Sequence, residues 1–403
     1  MRVLMLNAFH WLKGGVERTL FDETRWLEAA GHEVAAFATA DSRNLPSAHA
    51  KHFAPAADFG EDMPAWRQLP QLSRAIWSAP AARALAGLLA EWRPDVAHVH
   101  APSRYLTPSV LAELSRAGVP TVMTLHDWKP WCTNRVLFAR GAPCERCRGG
   151  HHWHAVTTGC VQRSRLKSLV GAVEAYTHDR RHAYASVRRW IAPSRFVSAK
   201  AIELGADATR VSVLAHGVEV PAAAPPLAGL PARYALFAGR LSEEKGVHLL
   251  PALARAIAPV PLLVAGGGPL ELWLRARANE SLRLLGHLSS DVLAAVRSRA
   301  TVVLVPSLFP ETFGYAVAEA QLEGRVVVAS RIGALTELVR HEESGLLAPP
   351  GDEAGWVAAM RRALEDPVAA RWGEAARARA MSEFAPGVHT SGLVGLYEQA
   401  ISG

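Results

Sequence analysis

Short, wholly apolar runs alternate along this chain with longer stretches in which apolar residues return every three or four positions. The first series is VLML (3–6), EVAAFA (33–38), DVAHVH (95–100), PTVMTL (120–125) and RWIAP (189–193). A second series follows the Ala/Pro-rich segment PAAAPPLAGLPA (221–232): YALFAG, VPLLVAGGG, LRLLG, TVVLV and RVVVAS. Runs without polar alternation belong to strands buried on both faces, as in parallel sheets covered by crossover helices. Strand and helix patterns in alternation predict a doubly wound α/β sheet, and two series predict two Rossmann-like domains. At 403 residues, half of them apolar, the chain exceeds one ordinary core and suits two. We place the first domain at 1–193, with an insertion at 128–160, and the second at 194–377. On this division the hinge lies near Ser194, and the helix from Phe196 and the VSVL strand (211–214) belong to the second domain.

Chemistry-bearing residues cluster where strands end. In PSLFPETFGYAVAEA (306–320), Pro306 closes the strand TVVLV, Glu311 falls in the loop at its carboxyl edge, and Glu319 falls about a turn and a half into the next helix. The amides of Phe313 and Gly314 lie at that helix N-terminus, where unpaired N–H groups and the dipole favour an anion. A lone acid here would only stabilise the dipole, so the pairing carries the signal. In AGRLSEEKGVHLL (238–250), Arg240 ends a strand and Lys245 opens a helix, two cations suited to a diphosphate. GGGP (266–269) is a further glycine-rich strand end, either a tight turn or a close approach to a nucleotide. Gly14 and Gly15 follow the first strand, and His126 and Asp127 end PTVMTL. Taken singly, these are also what turns and structural histidines look like.

Together, Glu311 and Glu319 resemble the E-x7-E motif of the retaining nucleotide-sugar glycosyltransferases of family 4, which have the GT-B fold, and the resemblance implies two Rossmann-like domains facing across a cleft. The likeness continues through EAQLEGRVVVASRIGALTELVRHEESGLLAPPGD (319–352), departing at Ala334, where the family usually has a second glycine. The resemblance implies that Glu319 binds the donor ribose, that Glu311 faces the donor sugar, and that Arg240 and Lys245 hold the pyrophosphate. It makes Gly14 and Gly15 the glycine loop, places His126 beside the donor sugar, and leaves Asp127 to orient His126 or contact the acceptor. It also implies a C-terminal helical tail (378–403) that crosses back to the first domain. The implied reaction moves a sugar from a nucleoside diphosphate to a saccharide or lipid-linked hydroxyl with retention, in surface polysaccharide or glycolipid synthesis. The departing phosphate helps deprotonate the acceptor, and no catalytic metal or other cofactor is needed. The alternatives are another GT-B enzyme, an epimerase or phosphorylase, or a non-catalytic nucleotide-binding protein. A phosphorylase needs a pyridoxal phosphate lysine, and Lys245 is better explained as a phosphate ligand.

All four cysteines, Cys132, Cys144, Cys147 and Cys160, fall within the insertion. A C-x2-C flanked by single cysteines reads equally as a structural zinc site, with His151, His152 or His154 able to substitute, or as ordinary thiols. The net charge is +7, concentrated between Val161 and Arg195: Arg163, Arg165, Lys167, Arg180, Arg181, Arg188, Arg189 and Arg195 against Glu174 and Asp179. That stretch is either a solvated helix face or a patch that docks on anionic lipid. No nucleic-acid motif accompanies it. The N-terminal run is cut short at Asn7 and His10, unlike a signal peptide, and no apolar run is long enough to span a bilayer. The expected setting is cytoplasmic, or peripheral at the inner face of a membrane.

Overall fold

The computed structural model describes residues 1–56, 72–220 and 228–403, so residues 221–227 of the expected linker lie outside the described residues. Two six-stranded parallel sheets form the chain. The first contains β1 (Arg2–Leu6), β2 (Glu33–Phe37), β3 (Val96–Val99), β4 (Thr121–Thr124), β5 (Val187–Ala192) and β6 (Val211–Val213), in the order β2-β1-β3-β4-β5-β6. The second contains β7 (Ala235–Ala238), β8 (Leu262–Ala265), β9 (Leu282–Gly286), β10 (Val302–Val305), β11 (Val326–Ser330) and β12 (Leu346–Ala348), in the order β9-β8-β7-β10-β11-β12. The GT-B architecture expected from the sequence is the one observed.

Both faces of each sheet are covered, which is why the strands read as unbroken apolar runs. Leu4 and Leu6 of β1 pack with Phe37, Leu85, Val99 and Leu111 on one face. Val3 and Met5, offset by one residue, pack on the other with Leu20 and Leu27 of α1 (Gly15–Ala29). That second face is closed by the C-terminal end of the chain. Leu393, Leu396, Tyr397 and Ala400 are spaced i, i+3, i+4, i+7 and bury one stripe of the helix Pro386–Ser402 against Val3, Met5, Val122 and Ile191. Each such leucine contributes about 1.5–3 kcal/mol when fully buried.

Three boundaries differ from the sequence reading. The strand Val211–Val213 pairs in parallel with β5, Trp190 opposite Val211, and so belongs to the first sheet, not the second. The chain therefore leaves the first domain after β6, beyond the expected hinge near Ser194. The helix Arg195–Glu203 lies against these two strands, yet its first amides are capped from the second domain. Arg195 N–H and Phe196 N–H donate to the Glu337 carboxylate at 2.9 and 2.5 Å. Residues 378–383, placed by sequence in the tail, instead end the helix Ala369–Glu383, whose Trp372 and Ala380 pack in the second domain. Only the following helix crosses back.

Candidate active site

The carboxyl edges of the two sheets face each other across a cleft of about 900 Å³, within the range of a nucleotide-sized ligand site. Gly14, Gly15 and His126 line it from the first domain, and Arg240, Lys245, Glu311, Phe313 and Gly314 from the second. Eight sequence candidates thus meet in one place. Asp127, Glu319 and the cysteines do not line this cleft.

Lys245 Nζ and Ser307 Oγ both donate to Glu311 Oε1, each at 2.6 Å, which leaves Glu311 Oε2 open to a ligand. The Glu311 loop is braced by the turn that follows β11. Ala334 N–H donates to the Glu311 carbonyl at 3.0 Å, and Gly333 has φ 58° with room for no Cβ, which would lie 2.7 Å from Glu311 N. Ala334 itself has φ −61° and ψ −19°, ordinary helical values, so the missing second glycine costs this loop nothing. The glycines of GGGP serve packing as well. A Cβ on Gly266 would lie 2.0 Å from the Gly239 carbonyl oxygen, so this strand end is pressed against the one that carries Arg240.

Arg240 makes no ion pair among the described residues. Lys13, which sequence reasoning passed over although it directly precedes the glycine pair, is in the same position: it lines the cleft with its ammonium 3.8 Å above the Phe9 ring. Burial holds that ammonium below the usual lysine range, and Arg43, Arg135 and Arg240 add to this against the pull of Glu17. Two cations from opposite domains, neither of them in an ion pair among the described residues, therefore face one cleft. The amides of Phe313 and Gly314, which precede the helix Tyr315–Leu322, donate to no protein acceptor among the described residues.

Glu319 lies just over one turn into that helix, and both of its oxygens are engaged. Oε2 accepts from Arg297 Nη1 at 2.6 Å, and Oε1 accepts from Arg18 of α1, across the domain boundary. Arg297 is 2 % exposed and is shared with Glu323 at 2.8 and 2.7 Å.

His126 is held by another histidine. Its Nε2 lies 2.9 Å from His100 Nδ1, and its ring stacks on His216 with centroids 5.2 Å apart. Burial pushes it well below the usual histidine range, and His100 adds to that. Asp127 does not orient it. That carboxylate accepts the Lys129 N–H at 2.9 Å and lies 3.9 Å from Arg135, in a small hollow beside His126. Behind His100, Glu23, His98 and His100 place one ligand-type atom each within 4.8 Å of one another, the only such set among the described residues. It is sealed from solvent, and both ring nitrogens of His98 already face the hydroxyls of Tyr397 and Thr124 at 2.8 and 2.7 Å.

The four cysteines line one small cavity elsewhere in the first domain, together with His154. No three of their sulfurs approach within 4.8 Å, whereas tetrahedral zinc needs thiolates at roughly 3.8 Å from one another. Cys132 is buried, its thiol pushed up to about 12 and donating to Asn134 Oδ1 at 3.0 Å. As arranged, the set does not form a closed zinc site.

Two family models match the chain: "Glycosyltransferase Family 4" over residues 13–220 and "Glycosyl transferases group 1" over residues 232–366. Among curated relatives, the chain is 31 % identical over 418 aligned positions to a glycogen synthase of Mycobacterium tuberculosis, covering 95 % of this chain and 91 % of that protein. It is 29 % identical to a phosphatidyl-myo-inositol mannosyltransferase of Mycolicibacterium smegmatis, covering 91 % and 85 %. Among solved structures it resembles sucrose-phosphate synthase of Thermosynechococcus elongatus, with TM-score 0.73 and 21 % identity over 100 % and 99 % of the two chains. It also resembles HepE of Anabaena in complex with UDP-glucose, with TM-score 0.68 and 18 % identity over 99 % and 100 %.

Proposed function

The chain belongs to glycosyltransferase family 4, and from that premise we propose that it moves a sugar from a nucleoside diphosphate to a saccharide or lipid-linked hydroxyl with retention at the anomeric carbon. The observation that carries this reading is the cleft in which Lys13 and Arg240, unpaired and from opposite domains, face Lys245 and the open amides of Phe313 and Gly314. Such a set is built to hold a diphosphate and to stabilise the charge that develops on it as it leaves. In this reading Glu311 Oε2 faces the sugar and supports its oxocarbenium character, and His126 bounds the sugar from the first domain. Glu319 takes the ribose hydroxyls, sharing its carboxylate with Arg18 and Arg297. The leaving phosphate accepts the acceptor proton on the same face.

HepE was solved with UDP and with UDP-glucose, which makes uridine the first base to try here. Incubation with UDP-, GDP- and ADP-sugars, scored by nucleoside diphosphate release and by the anomeric proton of the product, tests the reading. A single donor should turn over and its anomeric configuration should survive; inversion would overturn retention, and no release from any donor would overturn transfer.

Two further roles belong to this proposal. The first is a structural zinc at the cysteines, which would require Cys144, Cys147 and Cys160 to draw together on binding. About one metal per chain by elemental analysis, lost in Cys144→Ser, would support it, and a metal-free protein would end it. The second is peripheral docking on an anionic membrane, which suits a lipid-linked acceptor. No helix among the described residues is long and apolar enough to cross a membrane.

A further inference from the structure

A line of hydrogen-bonding groups runs from the cleft into the sealed interior of the first domain. His126 Nε2 lies 2.9 Å from His100 Nδ1, and His100 Nε2 lies 3.4 Å from Glu23 Oε2. Glu23 projects from α1 toward the sheet and is 1 % exposed. Its other oxygen, Oε1, lies 3.0 Å from Nε2 of His389 on the returning C-terminal helix, and His389 Nδ1 lies 2.7 Å from the carbonyl oxygen of Ala215. The 3.4 Å gap is slightly longer than a well-formed N–H···O bond. Neither His100 Nε2 nor Glu23 Oε2 makes a formed hydrogen bond in this structure, and buried polar atoms are rarely left alone, so a small turn of either side chain makes each the natural partner of the other.

Donor and acceptor chemistry then fixes the protons. A carbonyl oxygen only accepts, so His389 Nδ1 carries a proton. Burial raises the Glu23 carboxyl above its usual range, but the one proton shared with His389 lies between His389 Nε2 and Glu23 Oε1, so Oε2 is an acceptor in either case and His100 must present Nε2–H to it. Burial keeps the rings of His100 and His126 well below the usual histidine range, so each is neutral with a single proton. His100 Nδ1 is therefore a bare acceptor, and the proton between the two rings comes from His126 Nε2. His126 Nδ1 is left as a lone pair, and it has no hydrogen-bond partner among the described residues. His98 Nδ1 also lies 3.4 Å from Glu23 Oε2, but it is already bonded to the Tyr397 hydroxyl at 2.8 Å and its Nε2 to the Thr124 hydroxyl at 2.7 Å; both hydroxyls can donate or accept, so His98 places no constraint on this order.

We propose that Glu23 and His100 are positioning residues that lock His126 in its Nε2–H tautomer, so that His126 Nδ1 acts as a fixed hydrogen-bond acceptor for a sugar hydroxyl in the cleft. An unlocked ring would divide its time between two tautomers and present that hydroxyl with a donor for part of it. Holding a histidine in the right tautomer through a buried acid contributes orders of magnitude in other enzymes. Here the acid acts through one intervening ring.

The proposal rests on the glycosyl-transfer reading only for turnover, because the ring nitrogens can be observed without substrate. Long-range proton–nitrogen spectra of the ¹⁵N-labelled protein, with His126 assigned by its loss in His126→Gln, should show a protonated Nε2 and a bare Nδ1. In Glu23→Gln, whose amide can turn its N–H toward His100, that pattern should invert or average. Turnover of the preferred donor should fall at least about ten-fold, while the KM for donor and the affinity for UDP move less than about two-fold. Nδ1 protonation in the wild type overturns the proposal on its own, even if the variant fails to fold. So does an unchanged tautomer in a folded Glu23→Gln, whatever its turnover. Absence of turnover with every donor would count against glycosyl transfer and leave the tautomer result decisive.

Discussion

At the level of single residues, the proposed donor site predicts that binding and turnover separate at Glu311. Glu311 Oε1 holds Lys245 at 2.6 Å, so in the proposed site a diphosphate that draws on Lys245 would loosen this pair. Arg240→Ala and Lys245→Ala should each weaken UDP binding. Losing one charge-assisted hydrogen bond costs about 1.5–3 kcal/mol, or roughly ten- to a hundred-fold in affinity. Glu311→Gln should bind UDP within a few-fold of wild type and turn over far more slowly. Glu319 calls for a gentler change than alanine, because its removal leaves Arg297 buried with Glu323 alone. Glu319→Gln keeps the shape and one acceptor, and should weaken UDP with little loss of melting temperature. Titration calorimetry of the four variants decides; indistinguishable affinities would sink the donor-site assignment.

The regular elements differ in how much of themselves they show in sequence. Strands such as Val302–Val305 are legible because burial on both faces demands an unbroken apolar run, and the Glu311 and Lys245 loops are legible because they follow such runs directly. The strand Val211–Val213 is short and half-exposed at a sheet edge, so nothing within it names its neighbour; pairing with β5 does. His98 and His100 read only as part of a strand. Their partners Glu23, Thr124, His126 and Tyr397 come from distant segments that only the fold brings together. The basic stretch shows the same limit. Arg188 and Arg189 donate to the carbonyls of Ala400 and Thr209 at 2.8 Å, and Arg181 lies 4.6 Å from the Trp77 ring, so these three are tied to the protein rather than offered to a surface. What the helix Arg165–Arg180 does offer is an apolar stripe of Leu166, 72 % exposed, with Leu169 and Val173, beside Arg165 and Lys167; Arg163 is instead paired with Glu243 of the second domain. A stripe of this kind beside cations fits the headgroup boundary of an anionic bilayer. Leu166→Gln with Leu169→Gln should abolish co-sedimentation with phosphatidylserine vesicles, and Arg165→Gln with Lys167→Gln should weaken it most at low salt, without change in UDP affinity. Wild type that ignores such vesicles at low ionic strength would point to a soluble acceptor.

Across the whole molecule, the two domains are joined at the cleft itself as well as through the returning helix. Thr312 Oγ1 donates to the His126 carbonyl at 3.2 Å, Ser194 Oγ donates to the Thr312 carbonyl at 3.0 Å, and the hydroxyls of Thr19 and Tyr315 meet at 2.5 Å. Two ion pairs add to this set, Arg163 with Glu243 and Arg18 with Glu319, and Arg18 is the one beside the cleft helix. It reaches from α1 to Glu319 and, through Nη2, to the carbonyl of Glu219 at 2.8 Å, so it links the first domain both to the second and to the segment that leads into it. If Glu319 is to accept from a ribose, the nucleotide must share or displace Arg18, and the free protein has a favourable contact to give up. A partly exposed ion pair of this kind contributes up to about 1 kcal/mol, equivalent to roughly five-fold in an equilibrium constant. Arg18→Ala should therefore bind UDP a few-fold more tightly while the nucleotide-free protein shows a larger radius of gyration in solution scattering, because one cross-domain tie is gone. Added UDP should bring variant and wild type to the same compact size, since the nucleotide itself then bridges the domains. Weaker UDP binding by Arg18→Ala would reverse the assignment, making Arg18 a ligand of the donor rather than its competitor for Glu319.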